Sequence, residues 1–209
     1  MRRFIKADEI SIPSTAEIFS AIYRNNSWLD EESVSGRGST LAHTVVIRSA
    51  LPIVLNSLGA QSLLDVPCGD FNWMRHVDLK GIEYVGGDVV PELIAQNRLK
   101  YQSEKRSFRV LDITTDELPK VDVILCRDCF IHLPFGQILA AVVNFKKSGS
   151  KFLLATTHVS VRHNFDEPAG GWRSLNLELA PFNFPRPIQL LTEDSERGKC
   201  LGLWNLAAL

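Results

Sequence analysis

The sequence predicts an α/β fold: a doubly wound, mostly parallel seven-stranded sheet, Rossmann-like, with a C-terminal antiparallel hairpin and a helical N-terminal extension. Three observations predict it. From residue 61 onward, short apolar runs alternate with helical patterns, as β–α crossover units require. Several of those runs end in an acid or a glycine, residues suited to a turn at a strand's carboxyl end. The last two runs flank the polar segment Glu193–Lys199, which has the length of a hairpin connection.

The elements follow in order. Residues 1–60 read as a helical extension or lid belonging to the same domain as the core at 61–209. Ser14-Thr15-Ala16-Glu17 has capping-box spacing, and Ile18, Ala21 and Ile22 mark one helical face. Ser33–Ser39 carries Gly36 and Gly38 and reads as a mobile lid, a backbone nest for an anion, or a plain solvated loop. A helix from Ser39 or Thr40 is kinked or restarted by Pro52 and stops at Gly59. Gln61–Val66 is a buried strand, and Asn72-Trp73-Met74 reads as the first turn of a helix after it.

Ile82–Asp88 is the second strand, and Pro91 opens a helix carrying Leu93, Ile94, Asn97 and Tyr101. Ser107–Asp112 and Val121–Cys126 are the next strands. The helix through Phe135, Ile138, Leu139, Val142 and Val143 is basic at its end and stops at Gly149. Lys151–Thr157 is the fifth strand. Gly170, Gly171, Pro181, Pro185 and Pro187 keep 158–186 irregular, and Ile188–Thr192 with Cys200–Leu206 form the hairpin.

Composition narrows the function. The 209 residues favour one domain. With 45% hydrophobic and 22% charged residues, the chain can build an ordinary core without staples. A net charge of −1 supplies no general basic field for nucleic acid or an anionic membrane. The four cysteines are irregularly spaced, and no apolar leader follows the basic start, so reduced thiols in a cytoplasmic protein are expected. No apolar run approaches the ~20 residues of a membrane span. A monomer or homodimer acting on a small molecule is expected.

The turn Asp65-Val66-Pro67-Cys68-Gly69-Asp70-Phe71 bears on the ligand. It lacks the Gly-x-Gly-x-x-Gly of a dinucleotide site, Pro67 has no N–H, and Asp70 would repel a pyrophosphate. No Walker lysine motif occurs. The turn suits a ligand that is not polyanionic, such as S-adenosylmethionine, with its adenosine, sulfonium and amino-acid tail.

Residues 61–157 resemble the core of the class I S-adenosylmethionine-dependent methyltransferases. Asp65 and Gly69 match the acid and middle glycine of that family's first loop, while Pro67 and Phe71 replace its outer glycines. Asp88, followed by Val89, matches the acid that holds the ribose hydroxyls. Asp112-Ile113 is similar to the acid and backbone N–H that meet adenine. Cys126 and Arg127 resemble the segment that lines the methionine part, and Arg48 or Arg37 competes with Arg127 to pair its carboxylate. The resemblance implies S-adenosylmethionine as cofactor and methyl transfer as activity.

A hydroxyl acceptor needs a base, and His132 is the first candidate, then Asp128 and His158, with His163, Asp166 and Glu167 behind them. Asp128, His158 and Asp166 lack a compact metal-ligand spacing, so no metal is assigned. Cys126 and Cys129 read as small buried residues at a strand–helix junction. Cys-Arg-Asp-Cys stands where base- and glutamine-amino methylases carry Asn-Pro-Pro-Tyr, which weighs against DNA. Trp172–Phe184 reads either as an aromatic wall for the acceptor or as a loop packed by its own rings. The alternatives are a non-catalytic cofactor-binding or scaffold domain and a nucleotide-dependent oxidoreductase.

Overall fold

The computed structural model describes residues 13–209; the basic start of the chain lies outside the described residues. Seven strands form one sheet: β1 Ser62–Asp65, β2 Glu83–Asp88, β3 Arg106–Val110, β4 Val123–Cys126, β5 Phe152–His158, β6 Gln189–Asp194 and β7 Lys199–Asn205. Their spatial order is β3-β2-β1-β4-β5-β7-β6. The first five are mutually parallel, and β7 lies antiparallel between β5 and β6. The order reverses between β1 and β4, the switch point at which open α/β sheets bind ligands beyond the strands' carboxyl ends.

The central strands are apolar on both faces because helices cover both. One face sends Leu64, Ile124, Leu153 and Ala155 against Ile138, Ala141 and Phe145 of α4 (Phe135–Lys147). The other sends Leu63, Val123, Leu125 and Leu154 into the cluster that holds Leu51, Val54 and Leu55 of α2 (Val45–Ser57) and Leu93 and Ile94 of α3 (Pro91–Tyr101). Helix α1 (Thr15–Arg24) starts at the capping box: the Glu17 N–H donates to Ser14 Oγ at 3.3 Å, and Glu17 Oε2 accepts from the Ser14 N–H at 2.7 Å. Arg24 pairs with Glu92 of α3, tying α1 to the sheet's second crossover.

The structure departs from the sequence-based expectations in three places. Pro52 does not restart α2, which runs through it from Val45 to Ser57. The burial of Leu51, Val54 and Leu55 around it outweighs the lost hydrogen bond. Among the described residues no α-helix joins β3 to β4. None follows β1 either: a single 3₁₀ turn, Met74–His76, stands there. Phe71 explains the second absence. It adopts φ +60° and drives its ring, 1% exposed, onto Tyr84 and Phe108, each with centroids 5.2 Å away. An aromatic plug thus fills sheet surface that a crossover helix would cover.

Candidate active site

A cavity of about 890 Å³ opens at the carboxyl edge of the parallel strands, within the size of small-molecule sites. Its floor is built by strand ends. Asp65 closes β1 and is 2% exposed, and the Tyr84 hydroxyl donates to its Oδ2 at 2.7 Å. Burial pushes the Asp65 carboxyl up to about 7. Asp88 closes β2, and burial pushes it up to about 6. The Gly69 N–H donates to its Oδ2 at 3.2 Å and the Val90 N–H to its Oδ1 at 3.1 Å. Each carboxylate oxygen can accept two hydrogen bonds and takes one here, so each retains a lone pair for a hydroxyl. Asp112 follows β3, its Oδ1 occupied by the Thr114 N–H and hydroxyl at 2.8 and 2.6 Å. The Ile113 N–H makes no hydrogen bond among the described residues. These donors and acceptors fit an adenosine: a pair of hydroxyls at Asp88, a ring edge at Asp112 and Ile113.

The roof is the strap 33–39, which lines the cavity from Val34 to Ser39. It holds the chain's own Asp70 through two serine hydroxyls and one backbone N–H. Ser33 Oγ and the Val34 N–H donate to Asp70 Oδ2 at 2.9 and 3.1 Å, and the Asp70 N–H donates to Ser35 Oγ at 2.9 Å. Gly69 is required beneath it. Its φ is +54°, and a Cβ there would stand 2.3 Å from Ser35 Oγ.

The opposite wall carries the titratable side chains. His132 Nδ1 lies 2.6 Å from the Gly171 carbonyl oxygen. Only a protonated Nδ1 makes that bond, so Nε2 of the neutral ring holds the free lone pair. Burial lowers the His132 pKa and favours that neutral form. The Trp28 ring packs on the imidazole at 5.3 Å between centroids.

Asp128 has φ +51° and accepts from Lys199 Nζ at 2.7 Å, with Arg127 Nη1 at 3.1 Å. These cations outweigh its burial and hold it well below the usual carboxylate range. Arg127 is itself engaged on all three nitrogens. Its Nε donates to Glu193 Oε1 at 2.8 Å and its Nη2 to the Gly38 carbonyl at 2.9 Å, and it stacks over Trp73.

Of the residues singled out from sequence, Asp65, Pro67, Gly69, Asp88, Val89, Asp112, Ile113, Arg127, Asp128, His132 and His158 share this cavity. Two do not line it. Cys126 is 1% exposed and its side chain joins the core beneath the sheet, because the alternation of β4 points it there. Arg48 donates to the Leu41 carbonyl at 2.9 Å and pins the turn before α2.

The base candidates also separate. Asp128 is too strongly held by cations to take a proton. His158 receives the Leu175 N–H on Nδ1 at 3.3 Å, so its Nε2 carries the proton and donates. Asp166 accepts from the Phe135 N–H at 2.7 Å at the start of α4. The Trp172–Phe184 segment divides: Trp172 lines the cavity, whereas Phe182 and Phe184 pack edge-on against Phe135 and Trp204. Among the described residues no group of three His, Cys, Asp or Glu side chains is arranged to hold a metal, and no helix is long and apolar enough to cross a membrane.

Sequence reasoning missed Glu193, Lys199, Trp28 and Ser35. Glu193 and Lys199 bracket the hairpin turn, where charged residues are ordinarily solvated. Here their side chains are 3% and 16% exposed. A Glu and a Lys flanking a turn beside an antiparallel pair were the only available signal.

Comparison with known proteins agrees with this geometry. Residues 64–154 match the family model described as a methyltransferase domain. A search of curated protein sequences finds no match. Among solved structures, human N-acetylserotonin methyltransferase in complex with S-adenosylmethionine superposes with a TM-score of 0.64 at 14% identity, over 91% of this chain and 59% of that one. Magnesium protoporphyrin IX methyltransferase from Synechocystis, with bound S-adenosylmethionine, gives 0.59 at 11% identity, over 93% and 98% of the two chains. The N-methyltransferase NodS from Bradyrhizobium japonicum gives 0.56 at 13%, over 79% and 97%. The chain thus spans 59% of the human enzyme's length and nearly all of the Synechocystis enzyme's. Residues 64–154, which hold the acids at three adjacent strand ends, are thus similar to a methyltransferase domain, and the chain shares the fold of these methyltransferase structures.

Proposed function

We propose that the protein is a methyltransferase acting on a hydroxyl group of a small molecule, with His132 as the base. The observation that carries the reading is the tautomer of His132. Its Nδ1 is committed to Gly171, and its Nε2 lone pair belongs to a ring that lines the same cavity as Asp65, Asp88 and Asp112.

Bound S-adenosylmethionine supplies a methyl carbon activated by the sulfonium. The chain supplies position and proton removal. Asp88 would accept from the ribose hydroxyls, and Asp112 with the Ile113 N–H would meet the adenine edge. His132 Nε2 would take the acceptor's proton as its oxygen attacks, and the Gly171 carbonyl would stabilise the resulting imidazolium. Trp28 and Trp172 give that half of the cavity apolar faces suited to a ring. Residues 13–60 act as a lid within the same domain as the core, since their strap roofs the cavity.

The test is direct. S-adenosylhomocysteine at about 100 times its Kd should stabilise the protein by about 2.7 kcal/mol, which raises the Tm by several degrees. His132→Ala should retain that shift and lose about 10²- to 10⁴-fold in turnover. No shift with the wild-type protein refutes the cofactor reading, and undiminished turnover in the variant removes His132 as the base.

A further inference from the structure

Glu193 is not needed by the site as described so far, yet it is built into it. It lines the cavity with its side chain 3% exposed. One oxygen, Oε1, accepts from Arg127 Nε at 2.8 Å. The other, Oε2, is buried and has no hydrogen-bond partner among the described residues. The nearest cation, Lys199 Nζ, stands 3.5 Å from it and directs its short bond, 2.7 Å, to Asp128. A buried carboxylate oxygen without a donor is costly, so its retention at a cavity wall points to a donor that arrives with a ligand.

Position in the sheet indicates which ligand. The acids suited to an adenosine end β1 and β2 and follow β3. Glu193 sits on β6, which lies beyond β4, β5 and β7 in the sheet. At about 4.8 Å per strand, β6 is roughly 14 Å past β4. That is the acceptor's side of the switch point. Charge indicates the donor's type. Arg127 and Lys199 balance Asp128 and Glu193, so a neutral hydroxyl can bind without creating an unpaired charge. Asp194 and Glu196 stand with Arg197 on the hairpin side of the cavity, so an ammonium there meets carboxylates as well.

We propose that Glu193 Oε2 accepts a hydrogen bond from a hydroxyl or amino group of the methyl acceptor, other than the group that is methylated, and so selects acceptors bearing such a group. The proposal rests on the reading that the cavity binds S-adenosylmethionine beside a hydroxyl-bearing acceptor.

Three phenols of matched shape test it: tyrosol, tyramine and 4-propylphenol, which end the same chain in a hydroxyl, an ammonium and a methyl group. Their Kd values are measured by calorimetry on the protein saturated with S-adenosylhomocysteine. Tyrosol or tyramine should bind about 10- to 100-fold more tightly than 4-propylphenol, the range for a hydrogen bond to a charged group. Which of the two leads identifies the donor.

Glu193→Gln sharpens the result. Arg127 holds the amide oxygen, so the amide nitrogen takes the place of Oε2. That nitrogen repels an ammonium but can still donate to a hydroxyl oxygen. Tyramine should therefore lose at least 10-fold, tyrosol less, and 4-propylphenol nothing. Loss of all three alike, or of S-adenosylhomocysteine binding, would assign Glu193 a structural or cofactor role and overturn the proposal. Equal binding of the three to the wild-type protein, or binding of none, overturns it as well, even if the variant does not fold. Failure of S-adenosylhomocysteine to bind the wild-type protein would instead refute the proposed function.

Discussion

Asp70→Ala should release the strap that roofs the cavity. Four donors converge on this carboxylate. Ser33 Oγ and the Val34 N–H reach Oδ2 at 2.9 and 3.1 Å; the Asn72 N–H and Ser35 Oγ reach Oδ1 at 3.1 and 3.4 Å. Only the Ser33 and Val34 bonds both cross to the strap and have short, well-formed geometry. Hydrogen bonds to a charged acceptor contribute about 1.5–3 kcal/mol each, and Asp70 is half-buried, so the lower end applies. Losing both costs about 3 kcal/mol. At 1.36 kcal/mol per tenfold, strap opening becomes about 100-fold more frequent. Hydrogen exchange read by mass spectrometry on peptides covering 33–39 should show that acceleration, while strands β1 and β4 stay protected. The affinity for S-adenosylhomocysteine should fall in the same variant, because the strap supplies a wall of the cavity. Unchanged exchange across 33–39 would refute the idea that Asp70 holds the strap down.

Two further outcomes follow from the cavity floor. Asp88, pushed up to about 6, must be ionised to accept from two hydroxyls, so the Kd for S-adenosylhomocysteine should tighten as pH rises from 5 to 7. Asp88→Asn should bind more weakly and lose the lower part of that slope, leaving any dependence near pH 7 to Asp65. The ligand-free protein should show the opposite sign in its stability. The native Asp88 carboxyl keeps its proton to higher pH than the unfolded one, so this residue's contribution declines between about pH 4 and 6, which a Tm series would detect. Gly69→Ala should destabilise the protein by at least about 1 kcal/mol, since an L side chain is strained at φ +54° and its Cβ would meet Ser35 Oγ. Adding Ser35→Ala should recover the clash but not the strain, visible as a partial return of Tm.

How much of this was legible in the sequence depends on the range of the interactions. The sheet was legible because burial on both faces leaves near-continuous apolar runs, and Pro91, Gly149 and the Ser14 box punctuate the helices locally. The strand-end acids were legible for the same reason: Asp65, Asp88 and Asp112 are placed by the strands that precede them. What was not legible depends on contacts distant in sequence. Asn72-Trp73-Met74 has no local reason to avoid a helix. The reason is Phe71, whose ring is committed to Tyr84 and Phe108, 13 and 37 residues further along. The strap's partner was invisible because Ser33 and Asp70 stand 37 residues apart. The fate of the base candidates was invisible too. His132, His158 and Asp128 are equivalent on paper, and only Gly171, Leu175 and Lys199 decide which of them keeps a free lone pair. Those three partners all lie in the part of the chain after β5, where the periodic signal is weakest. It follows that the proposed cofactor half of the site is written locally, in strand ends. The acceptor half is written across the fold, between the β4 end, the irregular segment and the hairpin. If the proposed function holds, a substitution in 159–198 that leaves the sheet intact should therefore change acceptor selection before it changes the Kd for S-adenosylhomocysteine.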